Sequence, residues 1–322
     1  MTMAWDGTAW VKLNRRLTDE EQARQLKVEL AASSTALDDF SVFEMNDVYL
    51  ETTNASFAQR GLLTYGCIFI FAMGLMLVVL TLWAITNPPA NVVGAERMVA
   101  LICMAGFSVV GFGIIFIALW GMHQENFTWT RFPVRFNRKT RMVHAFRGAG
   151  AKGVISVPWD KAFFFIEPRS KDPISRALVF NLRCHVLDEH GCITQSFSIG
   201  SRVTTIDDES TENGRSIVRG LNDQFEYIRR YMEGGPSAAP TPEWVPKGPS
   251  FANSRRIWTR DDEALLKERS VLATTLVWVL RPFVYLTVVL HYIGMRTSRE
   301  PVWPADVETA CGNTAPQSLA QT

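Results

Sequence analysis

Residues 62–86 read LLTYGCIFIFAMGLMLVVLTLWAIT, and residues 98–122 read MVALICMAGFSVVGFGIIFIALWGM. Neither stretch holds a charge. Each exceeds the roughly 20 apolar residues that a helix needs to cross a ~30 Å hydrocarbon layer. A helix on the surface of a soluble domain keeps one polar face, and these keep none. Two transmembrane helices are therefore expected. Trp83 and Trp120 stand near their ends, where amphipathic rings settle at the membrane interface. Gly106, Gly111 and Gly113 would let the second helix approach the first closely, and ordinary membrane-helix composition would supply them equally well.

The link between the two runs is NPPANVVGAER, residues 87–97. Its prolines stop the first helix, and it is too short for a domain, so residues 62–122 read as a tight hairpin. The chain after the second run is basic. Arg131, Arg135, Arg138, Lys139, Arg141, Arg147 and Lys152 follow with no acid among them. The positive-inside rule places this side, and the N-terminus with it, in the cytoplasm. Residues 1–61 are polar, so no cleavable signal peptide is expected.

A third apolar stretch, residues 271–295, reads VLATTLVWVLRPFVYLTVVLHYIGM. Arg281 and Pro282 interrupt it near its middle. A central Arg costs about 2.5–3.5 kcal/mol on insertion scales. A kinked spanning helix and a broken or re-entrant one both remain open, with Arg281 and His291 as its intramembrane polar residues.

Composition limits the rest. The chain has 322 residues, with 33 Lys plus Arg against 32 Asp plus Glu and a net charge of +1. That balance excludes a globally basic nucleic-acid binder and an acidic tail. Aromatic residues at 11% exclude a disordered chain. Five cysteines, an odd number, argue against a secreted disulfide framework.

Residues 124–235 read as one soluble domain of about six strands in a meander. The strand signals fall at 127–136, 142–147, 154–159, 162–166, 177–187 and 192–199, with Pro158 tolerated only at an edge or break. Ile217, Leu221, Phe225, Ile228 and Tyr231 then lie on one face of a helix that Gly234-Gly235 ends. Strands closed by one amphipathic helix is the element order of a pleckstrin-homology-like domain, an analogy that carries no function. The expected fold class is thus an α+β membrane protein: a transmembrane hairpin, a cytoplasmic antiparallel β domain with a closing helix, and a C-terminal apolar helical segment. Residues 1–61 form a lead-in, in which Thr18 and Glu21 have capping-box spacing for a helix through Leu30. Residues 236–253 are a Pro-rich linker, 254–297 a helical segment in or re-entering the membrane, and 298–322 a polar tail.

Chemistry is sparse. Cys184, His185, His190 and Cys192 hold zinc-type donors, but adjacent residues of a strand point to opposite faces. Gly148, Gly150 and Gly153 spell a dinucleotide fingerprint between two strands, where its helix is missing. Asp207-Asp208-Glu209 and Asp261-Asp262-Glu263 suit helix starts. No catalytic residue, metal or cofactor is expected. The informative charged feature is the basic run of Arg131, Arg135, Arg138, Lys139, Arg141 and Arg147, which reads as a topology signal and as a surface for anionic lipid or a protein partner.

Several stretches resemble one bacterial membrane family, domain of unknown function 6708. They are Pro133-Val-Arg-Phe-Asn-Arg-Lys-Thr-Arg-Met-Val143, Trp159-Asp160, Asp47-Val-Tyr-Leu-Glu51, Arg60-Gly61 and Pro301-Val-Trp-Pro304. The resemblance implies a hairpin-anchored protein of the Gram-negative inner membrane, multi-pass, whose genes often lie near type VI secretion clusters and their effectors. It implies no activity and no catalytic residues. The leading expectation is a non-enzymatic protein whose cytoplasmic domain binds a secretion effector or component, as an immunity or accessory protein. The alternative is a membrane-surface sensor reading anionic lipid through its basic strands. A membrane enzyme using Arg281 and His291 is a third, weaker reading. Partners are thus the bilayer and a protein, without nucleic acid, and self-association is compatible with both main readings.

Overall fold

The chain passes repeatedly between sheets and apolar helices. The computed structural model describes residues 2–5, 9–89, 93–150, 153–170, 177–267 and 271–312. Two units result. One takes its residues from 1–57, 131–247 and 300–322, the other from 58–130 and 248–299.

In chain order the N-terminal elements are β1 (Thr2–Trp5), β2 (Trp10–Leu13), α1 (Asp19–Ala23), β3 (Gln25–Leu26), β4 (Val42–Met45), β5 (Tyr49–Thr52) and α2 (Ala55–Ala58). The helices α3 (Leu62–Thr86) and α4 (Gly94–Glu125) follow. Then come β6 (Val134–Asn137), β7 (Met142–Phe146), β8 (Val154–Pro158), β9 (Phe163–Ser170), β10 (Leu178–Leu187), β11 (Ile193–Thr205) and α5 (Glu212–Gly234). The chain ends in α6 (Phe251–Lys267), α7 (Val271–Thr297) and α8 (Ala305–Ala310).

The first unit is mixed α+β. Its antiparallel sheets run β4-β5-β6-β7-β8 and β11-β10-β9-β3, beside the hairpin β1-β2. The meander expected from the sequence is present as β6 to β11, but it is divided between two sheets. Alone it would leave β6 and β9 with bare edges, whose unpaired amides invite partners. The N-terminal residues cover both. β5 pairs with β6, with Leu50 opposite Phe136 and Glu51 opposite Arg135. β3 pairs with β9 through Gln25 and Leu26. The stretch read as a separate lead-in is therefore part of the sheets. Pro158 sits at the end of the edge strand β8, where a missing N–H costs no ladder bond.

The capping box forms: Glu21 N donates to Thr18 Oγ1 at 3.2 Å and Thr18 N to Glu21 Oε2 at 2.8 Å. The helix nevertheless stops at Ala23 rather than Leu30, because Gln25 and Leu26 join the sheet. α5 is capped by Thr211, whose Oγ1 accepts from Gly214 N at 3.0 Å. It buries Leu221, Phe225, Ile228 and Tyr231 as its spacing predicts. Phe225 stacks on Trp159, which is fully buried beside Phe136 and Phe164 in the core between α5 and the sheets.

In the second unit three helices are long and apolar enough to cross a membrane: Leu62–Thr86, Gly94–Glu125 and Val277–Thr297. Most of their large side chains are exposed, among them Met73, Val109 and Phe116. α3 and α4 pack along small residues. A Cβ at Gly111 would meet Val78 Cγ2 at 2.7 Å and Gly74 O at 3.2 Å. Gly106 and Gly113, which shared this expectation, face nothing within 4 Å. Gly74 and Gly121 take their place. Thr81 and Ser108 add a hydroxyl contact of 2.7 Å between the helices. α7 runs unbroken through Arg281 and Pro282 and packs against α6.

Candidate functional site

Two members of the basic run are buried. Arg131 and Arg135 are 5% and 6% exposed. β5 brings Glu51 opposite Arg135, and Arg135 Nε donates to Glu51 Oε2 at 2.6 Å. Its Nη1 reaches Glu308 Oε1 at 3.1 Å. The guanidinium lies 4.7 Å from the ring centroids of both Tyr49 and Trp303. Trp303 Nε1 donates to Glu51 Oε2 at 3.3 Å. Burial alone would lower the Arg135 guanidinium, but Glu51 and Glu308 outweigh it and hold it above its ordinary value. Arg131 lies over Phe43 and 4.0 Å from Glu51.

The remaining basic residues divide. Arg141 pairs with Asp160 at 2.5 Å and Glu233 at 3.1 Å, and the hydrogen bonds it donates to both acids raise its affinity for its proton. Arg147 stacks on Phe197. Arg138 is half-buried and Lys139 is exposed; Lys152 lies outside the described residues. Asn137 Nδ2 donates to Ala310 O at 2.8 Å, while its Oδ1 accepts from Thr140 N at 3.0 Å. Residues 301–312, read from the sequence as part of a polar tail, are thus fastened to the five-stranded sheet.

A second polar cluster lies wholly in the helical unit. Arg60, 4% exposed, donates to the carbonyls of Glu125 and Trp129 and to Ser298 Oγ at 2.8 Å. Burial brings its guanidinium down to about 10, with Glu125 opposing the shift. The Glu125 carboxylate accepts from Gly61 N at 2.8 Å and Thr64 N at 2.6 Å, which caps α3 with a negative charge at its positive end. Gly61 needs to be glycine: its φ is +94°, and a Cβ would meet His291 N at 2.8 Å. His291 is buried, with Nδ1 2.9 Å from Ser254 Oγ. Arg281 lies apart from it, over the rings of Trp278 and Tyr285 at 4.5 and 5.9 Å.

A sequence model of the family of unknown function DUF6708 matches residues 112–315, well over half of the chain. The chain belongs to the DUF6708 family. No curated protein and no solved structure matches it significantly. The stretches that carry the resemblance are scattered along the sequence, some of them upstream of the matched residues, yet within each unit they meet. Tyr49, Glu51, Arg135, Asn137 and Trp303 form the first network, and Trp159 Nε1 donates to Glu233, which also holds Arg141. Arg60 and Gly61, upstream of the matched residues, form the core of the second. In this DUF6708 chain they act as fasteners.

One constellation escaped the sequence reading. Ser196 Oγ lies 2.9 Å from His185 Nδ1, whose Nε2 is 3.4 Å from Glu21 Oε1. Arg15 clamps that carboxylate at 2.5 and 2.8 Å. His185 is 1% exposed against Phe163 and Phe165, and burial lowers its pKa. Ser196 also accepts from Arg183 Nη1 at 3.1 Å, and it is 8% exposed. A nucleophile needs access and a free lone pair, and here both are used in packing. Cys184 faces the core while His185 faces Glu21, the opposed placement that their adjacency predicts. The signal for this relay is three-dimensional: Glu21 and His185 are 164 residues apart.

Proposed function

We propose that this protein is a bilayer-anchored, non-enzymatic adaptor whose sheet unit presents its outer surface to a protein partner. The observation that carries the reading is the structural use of the residues that carry the family resemblance. Arg135 and Asn137 are buried ties of the five-stranded sheet, and Arg141 and Trp159 bond Glu233 of α5, so the action falls to the rest of the unit's exterior. The element order of β6 to β11 followed by α5 suits a pleckstrin-homology-like interaction module, which N-terminal strands extend. We place the unit in the cytoplasm of a bacterium, below the inner membrane. The positive-inside rule acts on the chain as it inserts, so later burial of Arg131 and Arg135 does not weaken the argument. The pairing of β5 with β6 supports both flanks of the hairpin lying on one side.

The gene neighbourhoods that the family resemblance implies point to a type VI secretion effector or component as the partner, with an immunity or accessory role. Reading of anionic lipid by the basic strands is less favoured, because Arg131 and Arg135 are internal and Arg141 is neutralised by two acids. The test is a pull-down of the tagged full-length protein from native membranes in mild detergent, read by mass spectrometry. Enrichment of one secreted toxin or secretion component is expected. Recovery of the protein alone from an effector-carrying strain would overturn the adaptor reading.

A further inference from the structure

We infer that α7, although long and apolar enough to span, does not cross the bilayer: α6 and α7 form a hairpin lying in the headgroup region of one leaflet, with the apolar stripe of α7 in the lipid. The inference rests on the bilayer reading of α3 and α4 above.

Parity gives the first argument. The chain before α6 and the chain after α7 belong to the same sheet unit: Val245 N donates to Val42 O, and Trp303 donates to Glu51. Within the helical unit the two ends of the hairpin also meet, Phe251 against Tyr292 and Ser254 against His291. Arg299, just past α7, pairs with residues 128–130, just past α4, through backbone bonds of 2.8 Å in both directions. Both ends therefore lie on the side where α4 emerges. A continuous chain that leaves and returns to one side crosses an even number of times, zero or two.

Two crossings would require α6 to span. That helix carries Arg255, Arg256, Arg260, Asp261, Asp262, Glu263 and Lys267 within 17 residues. Charges at a membrane centre cost about 2.5–3.5 kcal/mol each on insertion scales. The apolar residues of α6 do not offset such a sum, so the number is zero.

The side chains of α7 agree, with Arg281 lying over the rings of Trp278 and Tyr285. Trp278, Pro282, Leu286, Val289 and Ile293 recur every three or four residues along one exposed stripe. The opposite face, with Val277, Val288, His291 and Met295, is buried. This exposed apolar face, which widens to Val279, Leu280 and Phe283, opposite a buried one, is what an in-plane interfacial helix lays into lipid.

The experiment uses the full chain in sealed vesicles, with Cys103 and Cys192 replaced by Ser. A membrane-impermeant maleimide is applied from each side to Asn87→Cys, Ser270→Cys and Glu300→Cys variants. Ser270→Cys and Glu300→Cys should react from one side and Asn87→Cys from the other. Reaction of Ser270→Cys from the side of Asn87→Cys would overturn the inference and leave the α3–α4 span intact. Reaction of all three from one side would instead remove the span and the bilayer reading with it. A spin label at Leu286→Cys, or at Trp278→Cys, then reads depth. Relaxation by oxygen rather than by a water-soluble nickel chelate, at about 5–10 Å below the headgroup boundary, is expected. Nickel access equal to that at Glu300→Cys, or shielding from both reagents by a second copy or another protein, would overturn it.

Discussion

Arg135 lies among two acids and two aromatic rings, and its neighbours came from 84 residues upstream and 173 downstream. Removing one partner of a buried pair strands the other charge, at a cost of about 3–5 kcal/mol. Arg135→Gln is accordingly expected to lower stability by that amount, read as the denaturant midpoint of the detergent-solubilised protein. Lys139→Gln, on the exposed turn, should stay within about 0.5 kcal/mol of the parent. A similar loss in both would show that the network is not what holds the sheet. Glu226 makes the corresponding pH argument. Burial pushes its carboxyl up, but hydrogen bonds from Arg229 and Arg230 outweigh that and bring it down to about 2 from 4.5. A depressed carboxyl stabilises fully above the unfolded value and loses that stabilisation as pH falls through the folded one. Stability should therefore fall between pH 4.5 and 2, and Glu226→Gln should flatten the curve in that window. An unchanged slope in the variant would assign the acid sensitivity elsewhere. The sequence showed these residues as basic and acidic, and it could not show which way they faced, since a strand residue's burial depends on what covers its sheet.

At the scale of elements, local pattern carried far. Apolar length located α3 and α4, period-two alternation located β10, and helical spacing located the buried face of α5. It failed where a partner intervened, as in α1, which yields to the ladder of β3 with β9. It also failed for the glycines of α4, because the side that meets α3 is set by packing. That distinction is testable. Gly111→Leu drives a side chain into Val78 and the Gly74 carbonyl, and should separate α3 from α4 and lower the thermal midpoint in detergent by several degrees. Gly106→Leu meets nothing within 4 Å and should leave the midpoint unchanged. Equal effects of the two would mean that α3 and α4 do not pack through this stripe.

In the chain as a whole, the apolar helical hairpin of α3 and α4 is an insertion between β5 and β6, neighbours in one sheet. Residues 124–235, which the sequence marks as a domain, lack the strands that cover β6 and β9 and lack Trp303 and Glu308. Expressed alone, this fragment should show poor amide dispersion and rapid proteolysis. A well-dispersed, protease-resistant fragment would prove the outer segments dispensable. Two long apolar helices, six strands in order, one closing helix and the family are legible in the sequence, because each of these is written in local composition, periodicity or short motifs. Long-range contacts settle that Arg131 and Arg135 turn inward and that residues of the lead-in and the tail complete the sheets. Those outcomes depend on contacts between residues far apart in the chain, and no local pattern records which distant strand will cover an edge or which acid will meet a buried guanidinium.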